Sequence, residues 1–151
     1  MIAVIQRVTL AEVTVAGESV GRIDQGIMAL VAVEKADGED QAERLTERML
    51  NYRVFADNCQ KMNLSVKDID GGILLVPQFT LAADTQKGNR PGFEPAADPE
   101  KARRLFTFFV GRFKAKHRNV ACGEFGADMK VSLINDGPVT FILKVSTPTR
   151  L

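Results

Sequence analysis

The chain has 151 residues, 45% of them hydrophobic, enough for one substantial core and too few for two independent domains, so a single domain over residues 1–151 is expected. A formal net charge of +1 supplies no long-range field for a polyanion, which disfavours a duplex-coating protein but permits one that grips a nucleic-acid end or a small ligand. No apolar run approaches the ~18 residues of a membrane span, the opening Met1–Leu10 alternates around Arg7 unlike a secretory leader, and the two cysteines, Cys59 and Cys122, stand far apart, so a cytoplasmic chain with free thiols is expected.

Ile2, Val4, Gln6 and Val8 alternate with Ala3, Ile5, Arg7 and Thr9, and Val13 and Val15 continue the period of two up to Gly17, which predicts a strand meander. Gly26–Val33 is almost continuously apolar, as a strand covered on both faces would be. Its cover is predicted next: acids at Asp37, Glu39 and Asp40, then Ala42, Leu45, Met49 and Leu50 at helical spacing, define a helix over residues 38–52. Asp57-Asn58 reads as a turn, and Ile73–Leu81 as a second buried strand that ends in polar residues. Residues 84–99 hold Gly88, Pro91, Gly92, Pro95 and Pro99 beside Lys87 and Arg90, and form the longest predicted loop. A second helix starts near Asp98-Pro99-Glu100, carries Leu105, Phe108, Phe109 and Phe113, and ends in basic residues. Strands follow at Val120-Ala121 and from Met129 to Val145, the latter interrupted at Asn135-Asp136-Gly137-Pro138. The order predicts an α+β fold: a mainly antiparallel sheet or partly closed barrel with two main helices packed over it.

Chemistry-bearing residues are few. The single histidine, His117, sits at a Lys-rich helix end and reads as a solvated terminal residue, which leaves neither a metal cluster nor a histidine-based triad well supported; no metal or other cofactor is expected. Cys122 reads as a small buried thiol more readily than as a nucleophile. Two segments remain. Gln78 and Thr80 interrupt an apolar strand, where polar groups need partners or a cleft, although on composition alone Thr80 reads more readily as an ordinary β-branched strand residue. Asn135–Thr140 is, on residues alone, a loop or hairpin connection.

Taken together, these residues resemble the D-aminoacyl-tRNA deacylase family over nearly the whole chain. The blocks that carry the resemblance are Ile5-Gln6-Arg7-Val8, Val33-Glu34-Lys35, Lys61-Met62-Asn63-Leu64, Gln78-Phe79-Thr80-Leu81-Ala82-Ala83-Asp84-Thr85, Gly88-Asn89-Arg90-Pro91, Phe125-Gly126-Ala127-Asp128-Met129 and Asn135-Asp136-Gly137-Pro138-Val139-Thr140, in that order. The resemblance implies a homodimer that hydrolyses the ester joining a D-amino acid, or glycine, to the terminal adenosine of tRNA. It implies a cis Gly137-Pro138 peptide donated into the partner's pocket, with Arg7 bracing it through its fixed fork of donors. Gln78 and Thr80 take the catalytic positions; Phe79 and Met129 join Gly137, Pro138 and Arg7 in holding substrate. An L side chain would clash with the Gly-Pro backbone while a D side chain points outward, so selection is by rejection. Hydrolysis is expected to lean on the ribose 2′-hydroxyl, with Thr80 positioning rather than attacking, because no base stands ready to activate it. Three positions depart from the family pattern: Pro77 for Ser, Cys122 for Thr and Gly92 for Ser. Pro77 removes a hydroxyl and a backbone donor beside the site, which leaves a non-catalytic tRNA-end binder as the alternative reading.

Overall fold

The computed structural model describes residues 1–148. Eight strands and two long helices follow in the order β1 (Ile2–Val15), β2 (Glu18–Ile23), β3 (Gly26–Ala32), α1 (Glu39–Asn51), β4 (Phe55–Ala56), β5 (Met62–Leu64), β6 (Gly72–Pro77), α2 (Pro99–Lys116), β7 (Val120–Cys122) and β8 (Met129–Lys144). Of the predicted meander only the β1–β2 hairpin forms: Ala16 and Gly17 both take positive φ, which lets β1 turn tightly back into β2, but β3 then pairs with β1 and not with β2. β1 pairs antiparallel with β2 over its C-terminal half, with β3 over its N-terminal half, and with β8 along its length.

The sheet is mixed, because β3, β6 and β7 run parallel to one another. Their pairing puts α1 and α2 in the crossovers, and both helices lie over one face. That face carries the main core, in which Ile27, Ala29 and Val31 of β3 and Ile73 and Leu75 of β6 meet Leu45, Met49, Phe109 and Phe113. The other face encloses a second cluster of Val8, Ala11, Val13, Met28, Leu74 and Val76. A one-residue register shift between Val8 and Leu10 explains how β1 serves both, since Ala3 and Ile5 point to the helices while Ala11 and Val13, of the same parity, point away. β2 curls over β7 to nearly close a barrel. The approach is so tight that a Cβ on Gly21 would lie 2.8 Å from the Cys122 carbonyl oxygen.

Both helices begin and end as their sequences dictate. Gly38 caps α1, and its N–H donates to Gln41 Oε1 at 2.8 Å. Asp98 caps α2, its carboxylate accepting from the Lys101 N–H at 3.0 Å, with Pro99 in the first turn. Asp37, expected at the helix start, does something else: it is buried and holds the Met1 ammonium at 2.7 Å. The helices are tied together by Glu43 of α1, which accepts from Arg112 at 2.6 Å and from Lys116. Those two cations pull the Glu43 carboxyl down to about 2.

Candidate active site

The predicted strand Ile73–Leu81 stops at Pro77, and Phe79–Ala82 is instead a 3-10 turn. The cause is visible in the ladder. Odd-numbered residues of β6 face β7, as Ile73 N–H donates to the Asn119 carbonyl and the Leu75 carbonyl accepts from Gly123, both at 2.8 Å. Pro77 is the next odd residue and has no N–H to give, so the ladder ends. Gln78 makes a last bond to β3, donating its N–H to the Val31 carbonyl at 2.8 Å, and the chain then winds into the turn through Leu81 N–H to the Gln78 carbonyl. The donor lost at Pro77 therefore faced the β7 side, away from the Gln78 contact.

This turn sets out Gln78, Phe79 and Thr80 beyond the C-terminal ends of the parallel strands β3, β6 and β7. Gln78 Nε2 donates to Thr80 Oγ1 at 2.5 Å. An amide that donates to a hydroxyl oxygen cannot take its proton, so it leaves the Thr80 O–H free to donate outward. Thr80 is exposed, and Phe79, 56% exposed, meets the half-exposed Phe93 with ring centroids 5.2 Å apart. Met129 reaches the same end of the barrel: a Cβ on Gly123 would lie 2.8 Å from Met129 Sδ and 3.3 Å from Pro77 Cδ. His117 is elsewhere and is not simply solvated. It caps α2 and its Nε2 lies 2.6 Å from the Gly71 carbonyl, at the opposite end of β6. At ~3.3 Å per residue that is roughly 20 Å from Gln78.

Arg7, Gly137 and Pro138 form a second group. Gln6 pairs with Thr140 and Val8 with Asn135, so β1 spends one residue, Arg7, where β8 spends four, Asp136–Val139. The surplus projects as an arm with Gly137 and Pro138 exposed at its tip and their peptide bond cis. Arg7 contacts its base: Nε donates to the Asp136 carbonyl at 2.8 Å and lies 3.4 Å from its carboxylate, and Nη1 donates to the Val54 carbonyl at 2.7 Å. Arg7 itself is mostly buried, its side chain 16% exposed.

Within one chain the two groups do not meet. Arg7 pairs with Ile27 of β3, whereas Gln78 bonds to Val31. Four residues along the strands and three strand spacings across the sheet, roughly 13 Å and roughly 14 Å, separate the arm from the turn. Phe93 and the Val54 carbonyl were not foreseeable from sequence, because each enters through a long-range contact with no local signature.

The architecture is shared by solved proteins. A structure titled c-Myc DNA Unwinding Element Binding Protein superposes with a TM-score of 0.93 at 39% identity, covering 97% of this chain and 100% of that one. A probable eukaryotic D-amino acid tRNA deacylase shares the fold, with a TM-score of 0.84 at 16% identity over 95% of this chain and 98% of that one. Both describe a two-helix, barrel-like α+β protein. The sequence is more specific. Residues 4–144 match the family model for D-Tyr-tRNA(Tyr) deacylase, and a D-aminoacyl-tRNA deacylase of Janthinobacterium sp. (strain Marseille) is 59% identical over 145 residues, 96% of this chain and 97% of the relative. The chain belongs to the D-Tyr-tRNA(Tyr) deacylase family and is accordingly a hydrolase.

Proposed function

We propose that the chain frees tRNA of D-amino acids, and of glycine, by hydrolysing the ester to the terminal adenosine, in a cytoplasmic homodimer whose two sites are each assembled from both copies. The observation that carries this reading is the pair of exposed, separated groups: a Gly137-Pro138 arm braced by Arg7, and a Gln78-Phe79-Thr80 turn that its own arm does not reach. An arm held out rigidly from one copy can wall the turn of another. Its backbone then occupies the space an L side chain needs once ammonium and ester are fixed, and a D side chain points away.

In the reaction, water attacks the ester carbonyl carbon, the bond to the ribose oxygen breaks, and that oxygen leaves with a proton, giving free amino acid and tRNA. The neighbouring 2′-hydroxyl lies on the reacting ester and can guide the water or the leaving proton. The exposed Thr80 O–H, left free to donate by Gln78, suits the oxygen that gains charge at the carbonyl. Phe79 and Met129 supply apolar surface for the adenosine beside it. Of the two groups absent at Pro77, the backbone donor faced the β7 ladder, so its loss does not favour the binding-only alternative.

The test is a time course with D-Tyr-tRNA and L-Tyr-tRNA on the wild type and on Gly137→Ala. The wild type should cleave the D-ester and spare the L-ester, and the variant should lose either rate or discrimination. A variant with unchanged rate and selectivity would remove the arm from the site.

A further inference from the structure

The arm needs a neck. Where β8 leaves β1 for four residues, the Arg7 carbonyl loses the strand partner that regular pairing would give it, and nothing in the ladder holds the two feet of the excursion, Asn135 and Val139, together. The side chain of Asn135 does both jobs. Its Nδ2 donates to the Arg7 carbonyl at 2.9 Å and to the Val139 carbonyl at 3.1 Å. Both acceptors are carbonyls, so the amide nitrogen must face them and Oδ1 must face the arm. There it stands in the space that a side chain on Gly137 would need: a Cβ at Gly137 would collide with Asn135 Oδ1 and lie 2.5 Å from the Val139 nitrogen.

We propose that Asn135 is a specificity-determining positioning residue, a clamp that fixes the posture of the Gly137-Pro138 arm and thereby the discrimination between enantiomers; this rests on the deacylase reading above. Arg7 and Asn135 form a reciprocal strap, in which the Arg7 side chain holds the Asp136 carbonyl and the Asn135 side chain holds the Arg7 carbonyl. The two fix different parts. Arg7 ties the rising limb to the connection between α1 and β4 through Val54, and Asn135 closes the base of the loop on itself. Asn is the residue that fits: Asp matches its shape but offers no donor when ionised, Ser offers one donor on a shorter arm, and neither can bridge two carbonyls. The glycine at 137 follows from the clamp as well as from any need of the substrate, since Oδ1 fills its side-chain space.

The experiment compares wild type, Asn135→Asp, Asn135→Ser and a control, Thr140→Val. The control deletes the exposed Gln6 Nε2 to Thr140 Oγ1 bond, 3.1 Å, which joins the same two strands just outside the neck. The readout is the ratio of kcat/KM for D-Tyr-tRNA over L-Tyr-tRNA, with melting temperature to show that each variant folds. Two bonds of ordinary strength set the scale, so Asn135→Asp should lower the ratio about tenfold or more. Asn135→Ser should fall between, and Thr140→Val should keep the wild-type ratio. An unchanged ratio in both Asn135 variants, or an equal fall in the control, would overturn the clamp. A wild type with no preference for the D-ester would overturn the functional reading instead. The clamp would then be read from amide hydrogen exchange at Asp136, Gly137 and Val139, which Asn135→Asp should speed about tenfold or more by the same reckoning and which an idle Asn135 would leave unchanged.

Discussion

Gly137 has no room for a side chain, and its neighbours say why: Asn135 Oδ1 and the Val139 nitrogen close over the place where a Cβ would go. Gly137→Ala is therefore expected to displace the arm locally while leaving the fold intact, with a melting temperature close to wild type and a loss of rate or of chirality. Thr80 gives a second residue-level prediction. Held as an acceptor by Gln78, its hydroxyl can donate but has no base to make it a nucleophile. Thr80→Ser should stay within a few-fold of wild type, and Thr80→Val should slow single-turnover hydrolysis by about a hundredfold, the scale of one lost donor to a developing oxyanion. An aminoacyl group trapped on residue 80 would contradict that role. Much of this was legible in the sequence: Arg7, Gln78, Phe79, Thr80, Met129, Gly137 and Pro138 stand out together once the blocks are taken in order. The pairing of Gln78 with Thr80 was not. Side chains two apart in a strand share a face at ~7 Å spacing, too far for a bond of this kind, and only the 3-10 turn draws them together.

The helices α1 and α2 were readable because their apolar positions recur at helical spacing and their caps are local, Gly38 with Gln41 and Asp98 with Pro99. Their mutual contact carries an acid-sensitive element. The Glu43 carboxyl, held near 2 by Arg112 and Lys116, has a folded pKa below its ordinary value of 4.5. A depressed carboxyl contributes stability that is fully present above the unfolded pKa and is lost as pH falls through the folded one, here between about 4.5 and about 2. Glu43→Gln should therefore lower the melting temperature at pH 7 and lose less than wild type does when both are taken to pH 2.5; parallel losses would exclude the contribution. Phe109, wholly buried and edge-on to Phe113 at 5.0 Å, carries the packing of α2. Phe109→Ala should lower unfolding free energy by about 3–5 kcal/mol in urea titration. The strand predicted through Leu81 fails at Pro77 for a reason that apolar periodicity does not register, the loss of a single ladder donor. The parallel pairing of β3, β6 and β7 was equally hidden, because a buried strand reads the same whichever way its neighbours run.

For the molecule as a whole, the division of the site into two exposed groups makes assembly a functional question. If each site draws its arm from one copy and its turn from the other, then two crippled chains can repair one another. Chains carrying Gly137→Ala, mixed and exchanged with chains carrying Gln78→Ala and Thr80→Ala together, should recover activity in about a quarter of the sites, since half of randomly formed two-fold dimers are mixed and each mixed dimer holds one intact site. No recovery, despite demonstrated exchange, would place arm and turn in the same copy. The sequence could name both groups but could not show their separation, which is set by the register of β1 against β3 and β8. The most direct measurement of chiral deacylation is single-turnover hydrolysis of D-Tyr-tRNA and L-Tyr-tRNA by the wild-type chain under identical conditions. Enzyme-dependent loss of the D-ester, with the L-ester decaying at its spontaneous rate, is the expected result; equal loss of both would contradict the role given to the Gly137-Pro138 arm.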